Sequence, residues 1–316
     1  MNVETPPSTV LVHLASGVGN IVLATPLLIA LHHMGFVVDL LIQADYPQTA
    51  DLLRDWSIIR EVYDDRSQNI TTLSAYDIII PAIPPFYWSR FAPLYKKASR
   101  NIKRPPDTLF YQNEQAYYLT FARELGYPAA RQPFYRLPIS PREDFGVTAR
   151  TLIIAPGCKT GEMAAKRWPY FSQLAERFED VALVGTGDDL HRSDGTAWPL
   201  PRHARSFIDK LTLRETAELL AAAGLVVGND SGLSHIAAAV GTPTVMLFGP
   251  TPHLSLGQLP PHVTVLRTGL EFEPCWFRAR FQACAAQIHC LHRLTVKTVE
   301  RELRMLLGLD PECRDY

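Results

Sequence analysis

Several signatures are missing from the 316 residues: there is no Cys-x-x-Cys, no His-Glu-x-x-His and no Asp-x-Asp. Their absence argues against a typical zinc site, a zincin protease and a metal-carrying sugar-nucleotide motif, so neither a catalytic metal nor a cofactor is expected. Net charge is also lacking, at −1, which leaves no global field to attract nucleic acid or an acidic surface. Cysteine is scarce: five residues, an odd number at irregular spacing, suit a reduced cytosolic protein better than a disulfide scaffold. The opening MNVETPPST has an acid and two prolines but no basic residue, unlike a secretory leader. The longest apolar stretch, Ile21 to Ile42, is broken by Pro26, His32, His33, Gly35 and Asp39. It reads as a helix, a glycine stop and a buried strand rather than a membrane span.

What is present is alternation. Hydrophobic residues make up 47% of the chain and charged ones 20%, enough to bury sizeable cores, and the length suggests about two domains at ~150 residues each. STVLVHLA reads as a buried parallel strand, followed by a glycine turn, SGVGN. The next helix either begins near Asn20 and kinks at Pro26, or begins with Thr25 as cap and Pro26 at its first position. FVVDLLIQA and AYDIIIPAIP read as strands, and YPQTADLLRDW and NEQAYYLTFARELG as helices. RLPISPREDFGVTAR, residues 136–150, reads as a linker. Strand–helix alternation then restarts, with strands in TLIIAPG, VALVGTG, LVVGND and TVMLFGP, and helices in WPYFSQLAERFE and TLRETAELLAAAG. The expected architecture is α/β: two doubly wound, Rossmann-like domains over 1–145 and 146–316, facing across a cleft. The amphipathic last helix, LTVKTVERELRMLLG, is free to pack back on the first domain.

Ligands of such sheets bind beyond the carboxyl ends of the strands, where both glycine turns, SGVGN and GNDSG, fall. GNDSGLSH can cradle a diphosphate on backbone N–H groups at a helix start, with Ser231 adding a hydroxyl. Asp230 would repel phosphate and suits sugar or ribose hydroxyls instead. The plainer alternative is an ordinary Asn or Asp cap, worth ~1 kcal/mol, but capping does not require Asp230, Ser231 and His235 on one turn. The loop APGCKTGEMAAKRWPY is basic and flexible. Lys166 there either neutralises a leaving phosphate or belongs to a solvated loop. GTGDD offers Asp188 and Asp189 as ribose ligands or as turn residues. Residues 81–106 mix aromatics with a basic tail, reading either as an acceptor or peripheral membrane surface or as a Pro-rich loop packing its own rings. Cys275, Cys284 and Cys290 with His289 and His292 lack zinc spacing and read as buried thiols.

GNDSGLSHIAAAVGTPTVMLFGPTP resembles the signature of the heptosyltransferase family, glycosyltransferase family 9. SGVGNIVLATPLLIAL, AAKRWP and LTLRETAELLAAAGLVVGND resemble further elements of that family. The resemblance implies a GT-B fold and metal-independent, inverting transfer from a nucleotide-diphosphate sugar, with ADP-heptose favoured, onto a lipopolysaccharide core or other glycan or glycolipid acceptor. The enzyme would be cytoplasmic or peripheral at the inner membrane. By position, Gly157, Thr160, Lys166, Asn229, Asp230, Ser231, Gly232 and His235 would hold the donor's sugar and diphosphate. Leu211 and Asp188 or Asp189 would lie at its adenosine, and Gly17, Gly19 and Asn20 on the acceptor side. One departure stands out. The family has Gly-Asp where this chain has Gly19-Asn20, and the resemblance implies that this aspartate is the general base. An amide cannot serve as one. Asp45 is then the candidate replacement; otherwise the acceptor reacts unaided, or the protein is a slow or non-catalytic binder. An epimerase of similar architecture is a third reading.

Overall fold

The computed structural model describes residues 8–15, 17–43, 47–64, 76–88, 95, 102–159, 161–191, 195–199, 201–271, 273–276 and 289–310. The chain divides into two compact units. One comprises Met1–Pro138 with Leu254–Leu259, the other Ile139–His253 with Pro260–Tyr316.

In the first unit, short apolar runs form β1 (Thr9–Leu14), β2 (Val37–Ile42) and β4 (Ile78–Ala82), buried as parallel strands covered on both faces must be. With β3 (Ile59–Asp64) they make an all-parallel sheet in the order β3-β2-β1-β4. The strand order reverses between β1 and β4. The helix α1 (Val18–His33) adopts the earlier of its two expected starts and carries Pro26 inside. Pro26 has no N–H for the carbonyl of Val22, and the Thr25 hydroxyl donates to that carbonyl instead, at 2.7 Å. Gly35, at φ 82°, ends the helix in the left-handed region where glycine is favoured. The helix expected over residues 46–56 is a short 3₁₀ turn, Pro47–Leu52, because Thr49, Ala50 and Leu52 already bury its inner face. Two further helices, α2 (Asp107–Gln112) and α3 (Glu114–Glu124), meet at Asn113, whose side chain caps α3 by accepting from the Ala116 N–H at 2.9 Å.

Asp39, an acid inside buried β2, is satisfied by the neighbouring strand β3 and by Tyr76, which precedes β4. It accepts from Arg60 at 3.0 and 2.5 Å, from the Glu61 N–H at 3.0 Å and from the Tyr76 hydroxyl at 2.5 Å.

In the second unit, β5 (Leu152–Ala155), β6 (Val181–Leu183), β7 (Arg205–Ser206), β8 (Leu225–Asn229), β9 (Thr244–Leu247) and β10 (Val263–Leu266) form a parallel sheet. Its order is β10-β9-β8-β5-β6-β7. Here the order reverses between β5 and β8, so the crevice for a ligand opens beside the ends of those two strands. The helix expected over residues 168–179 shrinks to α4 (Phe171–Ala175), since Trp168 is spent on core packing and on a bond described below. A Thr212–Glu215 capping box starts α5 (Leu213–Ala222), and α6 (Gly232–Ala239) follows β8. The chain closes with α7 (His289–Arg293) and α8 (Val296–Leu306). Val299 and Leu303 of α8 join Leu174 and Phe178 in the core of this unit. The last helix therefore packs within its own unit, where its apolar stripe finds a partner.

Candidate active site

The turn from β8 into α6 is built by residues that lock one another. Asn229, fully buried, works at both ends: its Nδ2 donates to the carbonyl of Pro156 at 2.6 Å, and its Oδ1 accepts from the Trp168 N–H at 2.9 Å. One amide thus clasps the loop after β5 to the segment leading into α4. Gly228 permits this closeness, because a Cβ there would stand 2.4 Å from Ser234 Oγ and 2.7 Å from the Ala155 carbonyl oxygen. The Ser234 hydroxyl donates to the Asn229 carbonyl at 2.7 Å, drawing α6 onto the strand.

Asp230, 6% exposed, is the hub. Its Oδ2 accepts from Lys166 Nζ at 3.0 Å and from the Thr251 hydroxyl at 2.8 Å, and its Oδ1 lies 3.2 Å from His235 Nε2. Burial alone would push this carboxyl up. Lys166, His235 and Thr251 together outweigh burial and hold its pKa well below the usual carboxylate range. Lys166 has three ammonium hydrogens and directs one of them at Asp230. The solvated-loop reading of this residue is therefore replaced by a largely buried cation held at the sheet's switch point. Ser231 is the residue before α6, and no side chain caps the helix there. An Asn or Asp cap does not explain the turn. The first amides of α6, beginning at Gly232, carry the positive end of the helix beside Lys166.

The neighbouring loop carries a second lock. Arg167, 5% exposed, donates to the carbonyls of Asp188 at 2.7 Å, His191 at 3.0 Å and Cys158 at 3.3 Å. Gly157 lies against Asp189, where a Cβ would approach within 2.2 Å of the carboxylate. Asp189 closes a capping box with Thr186, so of the two acids it is the turn residue. Asp188 leaves its side chain exposed, and Leu211 is half-buried just before the Thr212 cap. Thr160 lies outside the described residues.

In the first unit, Gly17 precedes α1, and Gly19 and Asn20 lie in its first turn, at the carboxyl end of β1. Asn20 Nδ2 donates to Glu114 Oε1 at 2.6 Å, and the Tyr118 hydroxyl donates to the same oxygen at 3.1 Å. Sequence reasoning missed Glu114, Thr251 and the locking role of Arg167; only the FGPT run, which holds Thr251, offered a signal. Asp45 lies outside the described residues.

The described part of the aromatic segment packs both on itself, Phe86 on Tyr87 and Trp88 on Tyr95, and on the two helices that follow. Trp88 donates to the Tyr117 hydroxyl at 3.2 Å, and Phe86 meets Phe110 edge-on while remaining 61% exposed. Cys275 and Cys290 are buried in the second core; Cys284 and the side chain of His289 lie outside the described residues. Among the described residues, no group of three or more His, Cys, Asp or Glu is placed to hold a metal. Among them, too, no helix is long and apolar enough to cross a membrane.

Two parallel sheets, each reversing beside a glycine-turn helix start, with a buried Lys–Asp pair at the second, define the GT-B class of α/β protein. Residues 112–284 match the family described as glycosyltransferase family 9 (heptosyltransferase). The chain belongs to that family. It is 38% identical over 122 residues to lipooligosaccharide heptosyltransferase 2 of Haemophilus influenzae, an alignment covering 35% of each chain. The matched stretch thus spans about a third of that curated relative. In fold, it is similar to the Escherichia coli ADP-heptose lipopolysaccharide heptosyltransferase II, with a TM-score of 0.71, 22% identity and coverage of 95% of this chain and 98% of that one. It is also similar to the E. coli heptosyltransferase WaaC with ADP-2-deoxy-2-fluoro heptose, at a TM-score of 0.61, 18% identity and coverage of 94% and 99%.

Proposed function

We propose that this chain is an inverting, metal-independent glycosyltransferase that moves a sugar, heptose from ADP-heptose being favoured, onto a lipopolysaccharide core or related glycan acceptor. The observation that carries the reading is the buried Lys166–Asp230 pair beside the uncapped start of α6. A leaving diphosphate gains negative charge, and a preorganised ammonium with a helix terminus stabilises it without first reorganising water. Family membership supports the reaction class, and a fold-level neighbour described with an ADP-heptose analogue supports the donor. The donor would be held by Gly157, Thr160, Lys166, Asp188, Leu211, Ser231, Gly232 and His235, with Asn229 and Asp230 fixing the frame around Lys166. The acceptor would be handled by the first unit at Gly17, Gly19 and Asn20. The enzyme would work in the cytoplasm, peripheral to the membrane that carries its acceptor.

A second reading, a slow or non-catalytic nucleotide-sugar binder, is favoured by one observation: an amide, Asn20, stands where the resemblance implies a base. Both are tested by incubating the protein with ADP-heptose and heptose-deficient lipopolysaccharide. Release of ADP with sugar on the acceptor supports the transferase. Calorimetric binding of ADP-heptose with no ADP release supports the binder. A thermal shift raised by UDP- or GDP-sugars and not by ADP-heptose would overturn the donor assignment.

A further inference from the structure

Transfer to a hydroxyl needs a group that removes its proton as the new bond forms, and an amide has no basic lone pair at physiological pH. At the carboxyl end of β1, the side chain that Asn20 reaches is a carboxylate. Glu114 is the first residue of α3, held there by the Asn113 cap, and its Oε1 receives Asn20 Nδ2 at 2.6 Å and the Tyr118 hydroxyl at 3.1 Å. Glu114 is only half-buried, and two bonds to one oxygen fix the direction of its carboxylate. Beside it, the strand order reverses between the paired strands β1 and β4, which is where a doubly wound sheet receives a ligand.

We propose that Glu114, oriented by Asn20 and Tyr118, is the general base that takes the proton of the acceptor hydroxyl. The inference rests on the transferase reading above. The acceptor O–H bond breaks with its proton passing to the Glu114 carboxylate. The freed electron pair forms the bond to the anomeric carbon of the donor. The anomeric C–O bond to the diphosphate breaks, and its electron pair departs with the nucleoside diphosphate. Tyr118 is fully buried, and that burial, with the nearby Glu114 charge, raises its phenol well above its ordinary value, so it remains a donor at any working pH. Tyr117, next to Tyr118, and Arg104 and Asp107, which face Tyr117, are titratable groups of the same corner.

The test uses full-length protein, ADP-heptose and heptose-deficient lipopolysaccharide, with kcat followed against pH. Glu114→Gln is expected to lower kcat by about 10²–10⁴-fold, the usual yield of a general base, with calorimetric affinity for ADP-heptose unchanged. Tyr118→Phe removes a bond to the charged carboxylate, which raises its proton affinity, so the acid side of the kcat profile should move to higher pH. This second variant loses a single oxygen and does not depend on Glu114→Gln folding. A Glu114→Gln enzyme within about threefold of wild-type kcat overturns the assignment. So does a Tyr118→Phe profile that superposes on the wild type. Wild-type protein that binds ADP-heptose and transfers nothing ends the transferase reading itself. Transfer by wild type and Glu114→Gln at equal rates ends this inference alone.

Discussion

Lys166 Nζ lies 3.0 Å from Asp230 Oδ2, with 14% of one side chain and 9% of the other exposed. Two ions so far from water are stable only together, and removing one partner of a buried pair leaves the other uncompensated, at a cost of about 3–5 kcal/mol. Lys166→Met keeps most of the length and the apolar stem of the side chain while deleting its charge. It should destabilise the protein by about 3 kcal/mol, since His235 and Thr251 still contact the acid. Urea unfolding measures this. A loss below about 0.5 kcal/mol, the scale of an exposed pair, would mean that the pair is solvated.

The same acid sets a pH dependence. Its folded-state pKa is depressed, with Lys166 and His235 overriding the upward push of burial. A depressed carboxyl contributes stability that is complete above the unfolded value, about 3.9, and is lost as pH falls from there towards the folded value. Asp230→Asn lacks that contribution. The stability gap between wild type and Asp230→Asn should hold steady above about pH 5 and shrink by about 1.4 kcal/mol per pH unit below pH 4. A gap that stays constant down to pH 3 would show that Asp230 is not held in its charged form by its neighbours.

Asn229 makes a separate point. The bonds to Pro156 and Trp168 tie the loop after β5 to the segment leading into α4, which Arg167 joins a second time through the Cys158 carbonyl, and each orphaned buried backbone group costs about 1–3 kcal/mol. Asn229→Ala should therefore destabilise by about 2–5 kcal/mol in thermal or urea unfolding. Asn229→Asp keeps the acceptor for the Trp168 N–H but turns an anion towards the Pro156 carbonyl. It should be nearly as damaging near neutral pH and recover when acidified. A mild Asn229→Ala would reassign this residue from the frame to the ligand.

How much of this is legible in the sequence depends on the distance over which each feature is encoded. Continuous apolar runs predict β1, β2, β5, β8 and β9, because strands covered on both faces need nothing else. The edge strands β3 and β10 carry no such run: β10 is only half-buried along its length, and β3 sets the charged pair Arg60 and Glu61 between Ile59 and Val62. GNDSG is legible as a site because too many polar groups crowd one turn. Its wiring is not. Lys166 and Asp230 are 64 residues apart, Asn229 and Pro156 are 73 apart, and Asn20 and Glu114 are 94 apart. No local pattern encodes a bond that the crossover of a parallel sheet creates. The same reason hides Glu114, an unremarkable first-turn acid of α3 until folding brings α1 beside it.

Gly17 separates the wiring of the first unit from its stability. Its φ of −63° is open to any residue, so its backbone does not demand glycine. What demands it is space, since a Cβ would stand 2.6 Å from Asn20 Oδ1, the far end of a short side chain that can rotate away. Gly17→Ala should therefore leave the melting temperature within about 2 °C of wild type, as a surface-like change of under 0.5 kcal/mol would. Asn20 must turn, however, and its bond to Glu114 depends on the orientation it gives up. Transferase kcat should fall tenfold or more, on the order of the 1.4 kcal/mol that one misdirected hydrogen bond is worth, while ADP-heptose affinity is unaffected. Unchanged kcat in a stably folded Gly17→Ala would show that the placement of Asn20 is irrelevant to turnover, and the link from Asn20 to Glu114 would then be merely part of the α1–α3 packing.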